Sequence, residues 1–192
     1  MKGYSSCVIS KIPVIVLLII SIVGIASADQ SKRPMNVHQL EELGIEVWTE
    51  FDPLWITELK YHGKKPVFTA QTPPNVYPPA AMSIVTFRGM ALMSDELKDV
   101  ATTAIRSGAK NYKVSDNDIQ RMEPYLTNYG NLVGYESNYR GMADGNEVDV
   151  KVFVGHKQGE GPIMMQIYTL KDKLPHIKEQ IRRSWTNITY LN

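Results

Sequence analysis

"NYRGMADGNEVDVKVFVGH", from Asn138 to His156, is the stretch whose reading decides the fold. At its centre stands Asp144-Gly145, the pair that suits a two-residue hairpin turn because both central positions of such a turn need positive φ. A turn there predicts the register. Ala143 faces Asn146, Met142 faces Glu147, Arg140 faces Asp149, Tyr139 faces Val150, Ser137 faces Val152 and Tyr135 faces Val154. One face then carries the valine row and belongs to the core. The other carries Glu136, Asn138, Arg140, Asp149, Lys151 and Phe153, with Arg140 opposite Asp149 contributing about 0.2–1 kcal/mol. A slip of one residue would put every valine in water.

The following segment, "PIMMQIYTL", alternates in the same way. Ile163, Met165 and Ile167 are expected to extend the valine face, leaving Met164, Gln166 and Tyr168 outward. Antiparallel sheets commonly keep one face solvated, and aromatic anchors among charges are what protein interfaces use. The candidate partner surface is therefore Glu136, Asn138, Arg140, Asp149, Lys151, Phe153, Gln166 and Tyr168.

Two helices flank these strands. In "SDELKDVATTAIRSGA" Ser94 is the expected N-cap, with Asp95 and Glu96 at the positive end of the dipole. Leu97, Val100, Ala101, Ala104 and Ile105 form one apolar stripe, and Arg106 with Gly108 supplies a stop. The closing helix is expected from Leu174 to Ile188, with Pro175 in its first turn and Leu174, Ile177, Ile181, Trp185 and Ile188 on one side. Between the first helix and Leu132, "NYKVS" reads as a short strand and "DNDIQRMEPY" as a turn. Tyr125 and Tyr129 fall in a loop-like stretch and are secondary partner candidates. Tyr135, Tyr139, Trp48, Trp55 and Trp185 read as core.

Upstream, "AAMSIVTFRG" alternates as a strand, and "TPPNVYPP" (72–79) must be a loop because prolines lack the ladder donor. "PLWITELKY" and "PVFTAQ" pair around a Gly63 turn. "VHQLEELGIEVW" reads as a helix stopped by Gly44. Residues 29–36 read as a flexible arm ahead of a single α+β domain over 37–192.

The start of the chain predicts export. Lys2 and Lys11 precede and open "KIPVIVLLIISIVGIASA", where Ala26-Ser27-Ala28 is a small-x-small cleavage pattern. Residues 1–28 thus read as a signal peptide, too short in its apolar run for the roughly 20 residues of a spanning helix. Membrane association is expected only through this leader if it is kept. The chain carries 21 Lys and Arg against 20 Asp and Glu. A mature chain without Lys2 and Lys11 has one more acid than bases, which lacks the field that nucleic acid or anionic lipid usually requires. Cys7 precedes the apolar run, so the mature chain has no disulfide, thiolate nucleophile or cysteine zinc site.

No reactive constellation emerges. Asp116-Asn117-Asp118 opens like a calcium loop but lacks the downstream Gly and Glu. His38, His62, His156 and His176 show no metal spacing. No G-x-S-x-G elbow appears, and Gly159-Glu160-Gly161 reads as a hairpin loop. No cofactor is expected.

The run "SDELKDVATTAIRSGAKNYKV", the three strands of "NLVGYESNYRGMADGNEVDVKVFVGHKQGEGPIMMQIYTL" and the closing "PHIKEQIRRSWTNI" resemble the PsbP/DcrB-like α/β fold, over about Trp48 to Ile188. That resemblance implies an antiparallel sheet packed between helices and a non-enzymatic accessory or binding role. The expected function is an extracytoplasmic protein-binding domain, periplasmic or secreted, of the envelope-factor or immunity/inhibitor type. The rival expectation is a small-ligand binder or hydrolase with a site between the sheet and the 72–79 loop.

Overall fold

The computed structural model describes residues 34–90, 92 and 96–191. The expected leader with its cleavage pattern, the start of the expected arm and the Ser94-Asp95 cap lie outside the described residues.

The strands are β1 Met35–Leu40, β2 Ile45–Glu50, β3 Ile56–His62, β4 Lys65–Gln71, β5 Ala80–Thr86, β6 Tyr125–Tyr129, β7 Leu132–Ala143, β8 Asn146–His156, β9 Ile163–Leu170 and β10 Thr189–Tyr190. Helices α1 Glu96–Asn111 and α2 Asp116–Arg121 lie between β5 and β6. A 3-10 turn, Leu174–Ile177, leads into α3 Lys178–Thr186. Seven strands form one antiparallel sheet in the order β3-β4-β5-β9-β8-β7-β6, and β1-β2-β10 form a second. This is an α+β fold.

The central hairpin follows the sequence reading. Asp144 and Gly145 have φ of 49° and 81°, and all six predicted pairs, Ala143↔Asn146 through Tyr135↔Val154, are present. Val148, Val150, Val152 and Val154 are buried against Ala101 and Ile105 of α1 and Tyr112 just beyond it.

The next strand departs from expectation by one residue. Val150 pairs with Tyr168, Val152 with Gln166 and Val154 with Met164, so these three join the valine face. Ile163, Met165 and Ile167 lie on the opposite face beside Phe153, all fully buried. That face is dry over most of its area because Leu43, Ile45 and Val47 at the second sheet, with Ile181 and Trp185 of α3, pack on it. Phe153 is therefore a core anchor, and the expected solvated side is largely covered. Gly134 and Gly155 pair across β7 and β8. A Cβ at Gly134 would come within 2.8 Å of the Phe153 ring, and one at Gly155 would overlap that ring. Two missing side chains thus make the trough in which Phe153 lies.

Five local expectations are corrected. The 37–48 helix is a hairpin, β1 and β2, with Gly44 at φ 66° after the turn. Ile45, Val47 and Thr49 are buried in strand alternation, which outweighs the short helical stripe ahead of them, and Met35 and Asn36 of the supposed arm already pair with Glu50 and Thr49. Gly108 does not end α1. It sits within the helix, where a Cβ would meet Met164 at 3.3 Å and Gln166 at 3.5 Å, so its bareness lets the helix lie close to β9. "NYKVS" is not a strand but the turn after α1, with Lys113 at φ 54°. "DNDIQR" is helix α2, capped by the Ser115 hydroxyl accepting from the Asp118 N–H.

Candidate functional site

Six of the eight sequence-predicted site residues share one face of β7 and β8: Glu136, Asn138, Arg140, Asp149, Lys151 and Phe153. Gln166 and Tyr168 are on the other face. Gln166 donates to the Tyr112 hydroxyl at 2.5 Å, and Tyr168 lies edge-on to the Tyr112 ring at 5.7 Å.

Of the six, Glu136, Asn138 and Lys151 join two tyrosines in a polar centre built around the buried Glu136. Glu136 is 2% exposed. One carboxylate oxygen accepts from Lys151 and from the Tyr125 hydroxyl, and the other accepts from the Tyr129 hydroxyl at 2.5 Å. Asn138 donates from its amide to Tyr125 at 3.2 Å. Burial alone would raise the Glu136 pKa, but hydrogen bonds from Lys151, Tyr125 and Tyr129 outweigh it and hold the carboxyl below its usual range. Burial, reinforced by the neighbouring carboxylate, pushes Tyr125 up to about 12 and Tyr129 upward as well. Both carboxylate oxygens are engaged and shielded, so Glu136 is a structural anion, poorly placed to exchange a proton with a substrate. Tyr125 and Tyr129 do not sit in a loop. β6 pairs Tyr125 with Glu136 and Tyr129 with Leu132, which brings both phenols over the same face.

Above this centre the surface turns wet. Arg140 bridges Asp149 at 3.1 Å and Asp172 at 2.6 Å, and the Asp172 N–H donates to Asp149 at 2.6 Å. The predicted Arg140–Asp149 pair is thus present, enlarged by an acid from the turn after β9.

Beside the ridge runs a groove of about 490 Å³, lined by Val114, Asp118, Arg121, Met122, Glu123 and Tyr125 together with Ser137, Asn138, Tyr139 and Arg140. Successive residues of a strand point to opposite faces. Four consecutive β7 residues therefore line one groove only where it follows the strand's edge. It opens just beyond the Tyr125–Glu136 pair, where the β6–β7 ladder ends and no residue before Tyr125 continues it. Its far wall is fixed: Arg106 of α1 donates to the Gln120 and Met122 carbonyls, each at 3.0 Å. The rim mixes signs, Asp118 and Glu123 with Arg121 and Arg140. Sequence reasoning missed this groove; the signal that could have found it is β7 outrunning β6 at a proline.

A smaller cleft of about 230 Å³ lies where the 72–79 loop meets β9 and the β7–β8 turn, lined by Gln71, Thr72, Asp144, Tyr168 and Thr169 among others. No histidine lines it, and Asp144 is its carboxylate. The loop is tied down by Ala80 N–H to Thr72 Oγ1 at 2.9 Å and Thr169 Oγ1 to the Pro79 carbonyl at 2.7 Å. Among the described residues no group of three or more His, Cys, Asp or Glu is placed to hold a metal ion, and no helix is long and apolar enough to cross a membrane.

Fold and groove together define an α+β domain with an open sheet edge. No family model matches the chain, and no curated protein matches it either. Among solved structures, a Bacteroides thetaiotaomicron protein superposes with TM-score 0.49 at 12% identity over 83% of this chain. The chain spans about half of that protein's length, 49%. The Pseudomonas aeruginosa protein of unknown function PA94 superposes with TM-score 0.46 at 10% identity, covering 82% of this chain and 98% of its own. Neither likeness carries an argument about this chain.

Proposed function

We propose that this protein is an exported, non-catalytic protein-binding domain, an accessory or inhibitor-type partner, that docks through the β7 edge groove and the Arg140 ridge beside it. The groove carries the reading: about 490 Å³, fixed walls, and a polar rim of both signs around the apolar Val114 and Met122. Mixed polar rims around an apolar centre are how transient protein interfaces are built. The buried state of Glu136 agrees with it, since the best-placed carboxylate is committed to holding strands together. The resemblance to PsbP/DcrB-like proteins points the same way, as does the leader expected from the sequence.

The test is capture of extracytoplasmic partners by the full chain, repeated with Arg121→Glu plus Arg140→Glu. Charge reversal at a docking rim is expected to cut capture about tenfold, equivalent to roughly 1.4 kcal/mol. Unchanged capture removes the groove, and no capture by the parent protein removes the binding reading.

A further inference from the structure

The β7 edge carries a pattern that identifies its occupant more closely, on the premise that the domain binds protein. The tight turn at Asp144-Gly145 makes Ala143 and Asn146 a hydrogen-bonded pair. Alternation then aims the backbone of odd-numbered β7 residues at β8 and that of even-numbered ones away from it. Leu132, Gly134 and Glu136 are met on that outer side by Tyr129, Thr127 and Tyr125 of β6. Met142 is met there as well, its N–H donating to the Tyr112 carbonyl at 2.7 Å. Between them stand Asn138 and Arg140. Among the described residues neither has a backbone partner on that side. The ladder is complete at both ends and interrupted over two outward-facing positions, and the groove lies at the interruption.

Two N–H and two C=O groups repeat there at the two-residue spacing of an extended chain, about 6.8 Å. Another extended backbone is the chemical group that matches such a row. We infer that the gap receives a short extended segment of the partner protein, paired with the backbone of Asn138 and Arg140, with an apolar side chain set against Val114 and Met122. The rim, with two acids and two arginines, demands no net charge of that segment, so backbone pairing and one apolar residue carry recognition.

The probe is the capped tetrapeptide acetyl-Thr-Val-Thr-Val-amide, titrated into the isotope-labelled full chain, with amide shifts of Asn138 and Arg140 as readout. Saturable shifts at these two amides are expected, with Kd of about 1 mM for so short a peptide. The same peptide N-methylated on alternate amides is expected to leave them unmoved. Asn138→Pro removes an outward N–H without breaking a bond to β8, and edge positions tolerate proline. It is expected to abolish binding, whereas Asn138→Ala keeps it within about twofold. Absent shifts, equal binding of the N-methylated peptide, or equal behaviour of the two Asn138 variants overturns strand pairing. Shifts that follow protein concentration without peptide also overturn it, by assigning the edge to a second copy. If the peptide fails while partner capture still falls with Arg121→Glu plus Arg140→Glu, the binding reading stands and only the strand-pairing mode is lost.

Discussion

The two faces of the β7–β8 hairpin are built from opposite materials. Under α1 the sheet presents four valines with Tyr135, Tyr139, Met164 and Tyr168, a layer with few polar demands. The other face sets Phe153, Met165 and Ile167 beside a buried carboxylate, an ammonium and two phenols. Packing carries most of the first, with the Gln166–Tyr112 hydrogen bond as its polar contact. The second depends on every member of a polar network being present, because a buried charge left without its partner is costly while a satisfied one is close to neutral.

Substitutions can break this contrast, beginning with the largest effect. Phe153→Ala empties a trough whose floor, Gly134 and Gly155, has no side chains to refill it, and should cost about 3–5 kcal/mol in chemical unfolding. Lys151→Met strands Glu136 with only two neutral donors and should cost about 3 kcal/mol, most of it regained when Glu136→Leu is added. A double variant as unstable as the single one would show that the face is held by packing alone. Val152→Ala on the α1 side should cost about 2 kcal/mol, from two methyl groups and a small void. Arg140→Ala, on the exposed ridge, should change stability by less than about 1 kcal/mol.

Titration sharpens the same contrast. Glu136 is depressed in the folded chain, so the stability it contributes is present above the unfolded carboxyl value of 4.5 and is lost as pH falls through its folded value. Glu136→Gln should flatten the acid limb of a stability profile. Tyr125 and Tyr112 are raised from 10.0 to about 12. Their contribution is complete below pH 10 and disappears as pH climbs towards 12. Tyr125 lies on the polar face and Tyr112 on the α1 face, so alkali should loosen both sides and acid mainly one.

Much of this was legible in the residues, for physical reasons specific to each element. Asp144-Gly145 admits one tight turn, and a tight turn fixes every pair behind it; hence Arg140 met Asp149 as expected. β9 follows the six-residue connection from Lys157 through Pro162, and a connection of that length sets no phase. Both phases of "IMMQIY" offer apolar residues, and the assumption of one wet face chose wrongly, because the second sheet and α3 cover the side taken for solvent. Their arrival could not be read from β8. Val37, Leu40 and Leu43 imitate a helical stripe just where a strand turns. Tyr125 and Tyr129 hid because Pro124 and Gly130 bracket a strand of five residues. Glu136 was placed on the correct face, but its burial depends on phenols from that unread strand. The edge groove was invisible for the same reason.

Tyr129 has one more consequence. Its ring stands edge-on to Phe153 and to Trp185, each at 5.1 Å, and Trp185 is wholly buried with its indole N–H on the Met82 sulfur at 3.2 Å. The outermost strand therefore touches the deepest chromophore of the domain. Peeling β6 away would wet that indole and shift its emission to longer wavelength, so the protein carries its own optical gauge of whether the border next to the open gap is fastened.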